Sequence, residues 1–252
     1  MTISQTIANS EDVLTVERLS KAFGDNQVLK GLNLTLKKGE NLVVLGKSGS
    51  GKSVLIKCII GLLKQDEGVI TAFGKDMGKL DEEGKYKMRA KIGFLFQNNA
   101  LYDSMTVREN LEFPLRRHGR DKNPAEIQAI LEEALENVGL LETIDLMPEE
   151  LSGGMRKRIA LARTLILKPS IILYDEPTTG LDPITSREII HLILKIQDIY
   201  KTSSIVISHD LACVEQVANR VIMLIDGYCY AEGDYQTLST HPDPRVREFF
   251  VK

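Results

Sequence analysis

The run Gly46-Lys47-Ser48-Gly49-Ser50-Gly51-Lys52-Ser53 constrains this chain more than any other stretch of it. It follows the apolar run Asn41 to Leu45, read as a buried strand, and opens an apolar helix expected over 53–63. Glycines at such a handover let backbone N–H groups turn inward, and a helix N-terminus adds roughly half a positive charge. Lys52 can then reach the β and γ phosphates of a nucleotide, and Ser53 can ligate Mg²⁺. A plain glycine-serine turn has no need of Lys-Ser at its end. Strand, phosphate loop and helix in that order predict nucleotide binding on an α/β scaffold.

A second run divides the chemistry. Ile171-Ile172-Leu173-Tyr174-Asp175-Glu176 is an apolar strand ending in two carboxylates, which strand alternation points in different directions. Asp175 suits the Mg²⁺ shell, and Glu176 suits orienting or deprotonating an attacking water. An isolated Asp-Glu at a strand end is merely a solvated edge; the upstream phosphate loop is what makes this pair chemical.

Around these runs the pattern changes twice. From Val13 to Leu45 apolar and polar positions alternate between turn residues, predicting short, partly antiparallel strands. Between Lys79 and Glu150 helical spacing takes over, clearest in Ile127, Ile130, Leu131, Ala134, Leu135 and Val138. Asn123 as N-cap, Pro124 at the first helical position and Glu126 at the third fix that helix's start. Ile171–Tyr174, Ser204–Ile207 and Val221–Leu224 are β-branched runs separated by helical patterns, as in a parallel sheet with crossover helices.

The formal charge of −3 argues against a general polyanion binder, so phosphate contacts should be local and no nucleic acid is expected. The most apolar stretches, Val54 to Leu63 and Ile159 to Leu167, are broken by Lys57 and Arg163, short of the ~18 residues a membrane span needs. Met1 to Asp12 lacks the basic and then apolar pattern of an export signal, so cytoplasmic residence is expected. Cys58, Cys213 and Cys229 are widely spaced, and are expected to be buried free thiols.

Leu151-Ser152-Gly153-Gly154-Met155 narrows the class. Ser152 and two glycines at a helix start make a second anion-binding N-terminus, with Ile159, Ala160 and Ala162 on the helix's apolar side. Alone, Ser-Gly-Gly is a helix cap. In this order, however, the sequence resembles the ABC (ATP-binding-cassette) ATPase family, matching its LSGGQ signature at four of five positions, with Met155 replacing Gln. The resemblance implies a head-to-tail homodimer in which Ser152, Gly153 and Gly154 of one subunit cover the γ-phosphate held by the other.

It further implies that Phe23 stacks on adenine, Gln97 touches Mg²⁺ and water, Asp182 contacts the opposite subunit, and His209 senses the γ-phosphate. Asp182-Pro183 is also a good helix N-cap on its own terms. The implied fold is an α/β phosphate-loop NTPase core with a parallel sheet, an antiparallel β subdomain on the N-terminal side and an inserted α-helical subdomain. One domain spans 1–252: 13–97 and 151–233 form the core, 98–150 the helical part extended by the signature helix, and 234–252 a tail.

A finer likeness lies in Phe96 to Val107, Met155, Asp182-Pro183-Ile184-Thr185, Asp243-Pro244-Arg245-Val246 and Phe249-Phe250. These resemble the ATPases of mammalian-cell-entry (MCE) type, maintenance-of-lipid-asymmetry phospholipid transporters. That implies ATP and Mg²⁺ as cofactors, an integral membrane permease and an MCE-domain protein as partners, and residence on the cytoplasmic face of the inner membrane. Two other readings share the catalytic motifs: a polar-solute importer, and a soluble ABC ATPase acting on DNA or ribosomes.

Overall fold

The structure is a computed structural model and describes residues 11–118 and 122–250. The chain opens with two long strands, β1 (Asp12–Phe23) and β2 (Asn26–Lys37), then β3 (Asn41–Leu45) and α1 (Lys52–Ile59). β4 (Glu67–Ala72) and β5 (Lys75–Asp76) lead to α2 (Glu82–Ala90) and β6 (Ile92–Leu95). Helices α3 (Val107–Glu112), α4 (Leu115–His118), α5 (Pro124–Val138) and α6 (Gly153–Leu165) follow. The remainder alternates: β7 (Ile171–Asp175), α7 (Pro183–Tyr200), β8 (Ser203–Ser208), α8 (Leu211–Val217), β9 (Arg220–Ile225) and β10 (Tyr228–Gly233). Two short helices close it, α9 (Tyr235–Ser239) and α10 (Pro244–Arg247).

Six strands form one sheet in the order β10-β9-β3-β8-β7-β6, parallel except for β10 at one edge. Every residue of β3, β7 and β8 is buried, as expected of strands covered on both faces. Period-two alternation then divides the interior in two. Leu42 and Val44 pack with Leu55, Ile56 and the β1–β2–β4 layer, while Val43 and Leu45 pack with α5, α6 and α7. The second sheet, β2-β1-β4-β5, is antiparallel throughout.

Local chemistry sets the helix starts. Asn123 accepts from Glu126 N–H while the Glu126 carboxylate accepts from Asn123 N–H, a full capping box with Pro124 at the first position. Gly139 closes α5 at φ 66°.

The structure departs from the sequence reading in three places. The N-terminal strands are two long ones, because bulges at Val16/Leu19 and Leu19/Lys21 keep the β1–β2 ladder going where the alternation lapses. The helix after the phosphate loop ends at Ile59, with Gly61 at φ 71° turning the chain out of it. Cys58 and Cys213 are buried free thiols, which burial pushes up to about 11 and about 12, but Cys229 is only half-buried.

One ionic cluster ties the two sheets together. The guanidinium of Arg220 at the start of β9 donates to both oxygens of Glu40, at 2.7 and 2.9 Å, and to the β2 carbonyl of Thr35 and the β10 carboxylate of Glu232. The Glu40 side chain is 2% exposed, so Arg220→Met strands its charge. A loss of about 3 kcal/mol is expected, read as a shift of the urea midpoint; a change under ~0.5 kcal/mol would show the cluster to be dispensable.

Candidate functional site

The Gly46–Ser53 loop joins the end of β3 to α1 and lines a cavity of 720 Å³ shared with Gln97, Glu176, Thr179 and His209. Two glycines make the loop possible. A Cβ on Gly46 would stand 2.6 Å from both the Leu224 carbonyl oxygen and Ser50 Oγ, and Gly51 takes φ 101°, a conformation that L side chains rarely adopt.

Lys52 is 6% exposed, and its ammonium donates to the carbonyls of Gly46 at 2.7 Å and Lys47 at 3.0 Å, with Glu176 Oε1 at 3.6 Å. It thus bends back under its own loop with one carboxylate beside it. Ser53 Oγ donates to Asp175 Oδ1 at 2.9 Å, which joins the start of α1 to the end of β7. Burial pushes the Asp175 carboxyl above the usual carboxylate range, opposed by that hydroxyl and by the Lys57 and Lys52 charges. A cation beside Asp175 relieves this cost.

Asp175 and Glu176 do point apart, but strand alternation is not the cause. β7 stops at Asp175, and Glu176 takes φ 50° while its N–H donates to the β8 carbonyl of Ile207. This left-handed turn carries the Glu176 carboxylate to His209 Nδ1, 2.8 Å away at the end of β8, and to the Thr179 hydroxyl at 3.2 Å. Glu176 is 7% exposed, while the His209 side chain is 59% exposed.

The residues present fit a nucleotide with Mg²⁺. Ser50 Oγ is buried in the loop without a hydrogen-bond partner, as a hydroxyl poised for a phosphate oxygen would be. The hydroxyl of Ser53 and the carboxylate of Asp175 are hard oxygen donors, the kind Mg²⁺ takes in ones and twos alongside phosphates. Lys47 sits apart from this group: its ammonium pairs with Glu248 at 2.7 Å and lies 5.5 Å from the Phe249 ring centroid. The C-terminal tail therefore rests against the loop, a placement to which the sequence reading gave no role.

Ser152, Gly153, Gly154, Asp182 and Phe23 do not line this cavity. Ser152 caps α6, accepting from the Met155 N–H at 3.2 Å. Asp182 caps α7, accepting from Ile184 and Thr185 N–H at 2.9 and 3.1 Å and from the Thr185 hydroxyl at 2.5 Å. These two caps are neighbours, since a Cβ on Gly154 would stand 2.5 Å from Thr185 Cγ2. Phe23 is 48% exposed at the tip of β1, with Lys21 Nζ over its ring at 5.4 Å from the centroid. One chain thus carries a phosphate loop with its acidic strand end, and, elsewhere, two adjacent helix N-termini with no phosphate loop of their own.

Sequence reasoning missed Lys157. Between Arg156 and Arg158 it reads as one more solvated cation, yet it is 2% exposed, and its ammonium donates to the Gln97 carbonyl at 2.9 Å.

A family model described as ABC transporter matches residues 29–179. The chain is 38% identical over 240 residues to the intermembrane phospholipid transport system ATP-binding protein MlaF of Haemophilus influenzae, covering 95% of this chain and 90% of that one. It is 39% identical over 236 residues to the probable ribonucleotide transport ATP-binding protein mkl of Mycobacterium tuberculosis, covering 94% of this chain but only 66% of that relative's length. Among solved structures, the dimeric ATP-binding cassette MJ0796 in a post-hydrolysis state bound to ADP and Pi superposes with a TM-score of 0.80 at 34% identity, over 88% of this chain and 98% of that one.

Proposed function

This chain belongs to the ABC transporter family of ATP-binding proteins, and from that membership we propose that it hydrolyses ATP as half of a head-to-tail dimer, energising phospholipid transport between membranes. The observation that carries the ATPase reading is the convergence of Lys52, Ser53, Asp175, Glu176 and His209 on one loop, while Ser152 and Asp182 stand together outside it. A second copy placed head to tail sets each pair of helix N-termini against the other's phosphate loop. That placement gives both anion sites one nucleotide to share.

Each side chain then has a task. Lys52 exchanges its carbonyl partners for β and γ phosphate oxygens, and the loop N–H groups hold the rest of the chain of phosphates. Ser53, Asp175 and the Gln97 side chain would hold Mg²⁺, which neutralises charge on the phosphates when bound. Glu176 accepts the proton of the attacking water, with His209 fixing one of its oxygens at 2.8 Å. Ser152 and the N–H groups at the start of α6 stabilise the γ-phosphate from across the dimer.

The phospholipid cargo is supported by the likeness to the Haemophilus relative, which extends over nearly the whole of both chains. The mycobacterial relative, whose name concerns ribonucleotides, favours a polar cargo instead, and it matches at 39% identity against 38%, but over only 66% of its own length. The lipid reading takes as partners an integral permease that supplies the path and an MCE-domain protein as its lipid-binding companion; among the described residues no helix is long and apolar enough to cross a membrane. The test is to capture the Glu176→Gln variant with ATP from detergent-solubilised native membranes. Recovery of a permease, an MCE-domain protein and phospholipid is expected; recovery of a polar-solute permease with its binding protein would overturn the lipid assignment.

A further inference from the structure

Gln97 stands at the start of an unusual segment. Asn99 and Ala100 follow it with φ 61° and 52°, neither a glycine, and Asn99 Oδ1 is buried without a hydrogen-bond partner. Such a path persists only where its surroundings over-determine it. Here the surroundings are two cations from one helix. Lys157 of α6 donates to the carbonyls of Gln97 at 2.9 Å and Phe96 at 3.5 Å, and Arg163 of α6 donates to the carbonyl of Asn99 at 3.1 Å.

An ammonium this buried loses most of its hydration and is retained only where its partners replace it. Burial draws Lys157 down to about 8, against the opposing pull of the nearby Asp175 and Glu176 charges. Four residues before Lys157 on the same rigid helix is Gly153, about 6 Å along the axis, in the N-terminal turn capped by Ser152. Gln97 itself lines the phosphate-loop cavity of its own chain.

We propose that Lys157 is a positioning residue that locks Gln97 to the signature helix, so that the two nucleotide sites of the dimer are mechanically coupled through each chain. This rests on the head-to-tail reading above, in which Gln97 serves the nucleotide on its own loop and Ser152 serves the partner's. A movement of α6 toward the partner's γ-phosphate carries the Gln97 carbonyl with it, because one buried ammonium joins them. Arg163, six residues further on, holds the Asn99 carbonyl to the same helix.

The experiment compares Lys157→Met with the parent in steady-state Mg-ATP hydrolysis by the full chain, together with ATP affinity measured on each variant. Methionine is unbranched and one bond shorter, and it removes both the charge and the donor. The expected result is a kcat lowered at least tenfold, ATP affinity within about twofold, and a Hill coefficient for ATP that falls toward one. A merely structural lysine gives a different pattern: the folded fraction retains the parent's kcat and Hill coefficient, and that result overturns the proposal. If Lys157→Met does not fold, Lys157→Leu, uncharged and also without a donor, replaces it with the same expected and contrary outcomes.

A parallel run in the Glu176→Gln background separates the two layers. ATP-driven dimers in Glu176→Gln, together with an unchanged kcat for Lys157→Met in the parent background, reject the coupling alone. No ATP-driven dimer in Glu176→Gln itself rejects the head-to-tail reading, and the coupling with it.

Discussion

Glu176→Gln should slow ATP hydrolysis by ~10²–10⁴-fold while ATP still binds. The amide keeps the size of the carboxylate and can still meet His209, now 2.8 Å from Glu176 Oε2, and the Thr179 hydroxyl. What it loses is the capacity to take a proton from water. Because Glu176 reaches its place through a backbone turn at φ 50°, a side chain of equal length keeps the geometry and the effect falls on chemistry. Lys52 also loses its carboxylate partner at 3.6 Å, so repulsion of the phosphates by that carboxylate disappears and ATP is held at least as well. Single-turnover hydrolysis and equilibrium ATP binding on one preparation check both halves, and near-parent turnover would remove Glu176 from the role of base.

Lys52→Ala should do the opposite, weakening ATP binding by about 30-fold to 10³-fold, the cost of cutting one member from a buried charged contact. Its ammonium is 6% exposed and bridges the Gly46 and Lys47 carbonyls with the Glu176 carboxylate beside them, so no water-filled space replaces it easily. Without it those carbonyls face the incoming phosphates, and Glu176 faces them with only His209 and Thr179 beside it. The variant should also melt earlier, since a carboxylate 7% exposed is left without its lysine partner. Calorimetric titration with Mg-ATP reads the first effect and thermal denaturation the second; parent-like affinity would mean that the loop N–H groups alone carry the phosphates.

The phosphate loop was legible from Gly46 to Ser53 because its demands are local: glycines where the backbone must turn or approach closely, and a lysine and a hydroxyl one residue apart on a helix start. The cap pairs Asn123–Glu126 and Asp182–Thr185 are equally local, and they stand where side-chain chemistry puts them. The parallel sense of β7, β8 and β9 could be expected from β-branched runs between helical patterns, though the insertion of β3 between β8 and β9 could not.

Lys157 was illegible for the converse reason. Its burial is created by Phe96 and Gln97, about sixty residues earlier, and nothing in Arg156-Lys157-Arg158 distinguishes the middle cation from its neighbours. The same holds for Arg220, whose partners Thr35 and Glu40 come from the opposite end of the chain. Strand alternation gave the right divergence of Asp175 and Glu176 for the wrong reason, since the left-handed turn at Glu176 depends on its N–H finding Ile207 on β8. Contacts made by the fold can reverse the reading of a charged residue, while motifs made by consecutive residues survive it.

The composite site is tested most directly by sedimentation of the Glu176→Gln chain with and without Mg-ATP, together with a count of bound nucleotide. Two ATP-loaded chains should associate into a dimer holding two nucleotides, and a Ser152→Arg change on the same background should leave ATP bound but the chains separate. Chains saturated with ATP that remain monomeric, or dimers indifferent to Ser152→Arg, would contradict a site shared between the phosphate loop of one subunit and the α6 N-terminus of the other.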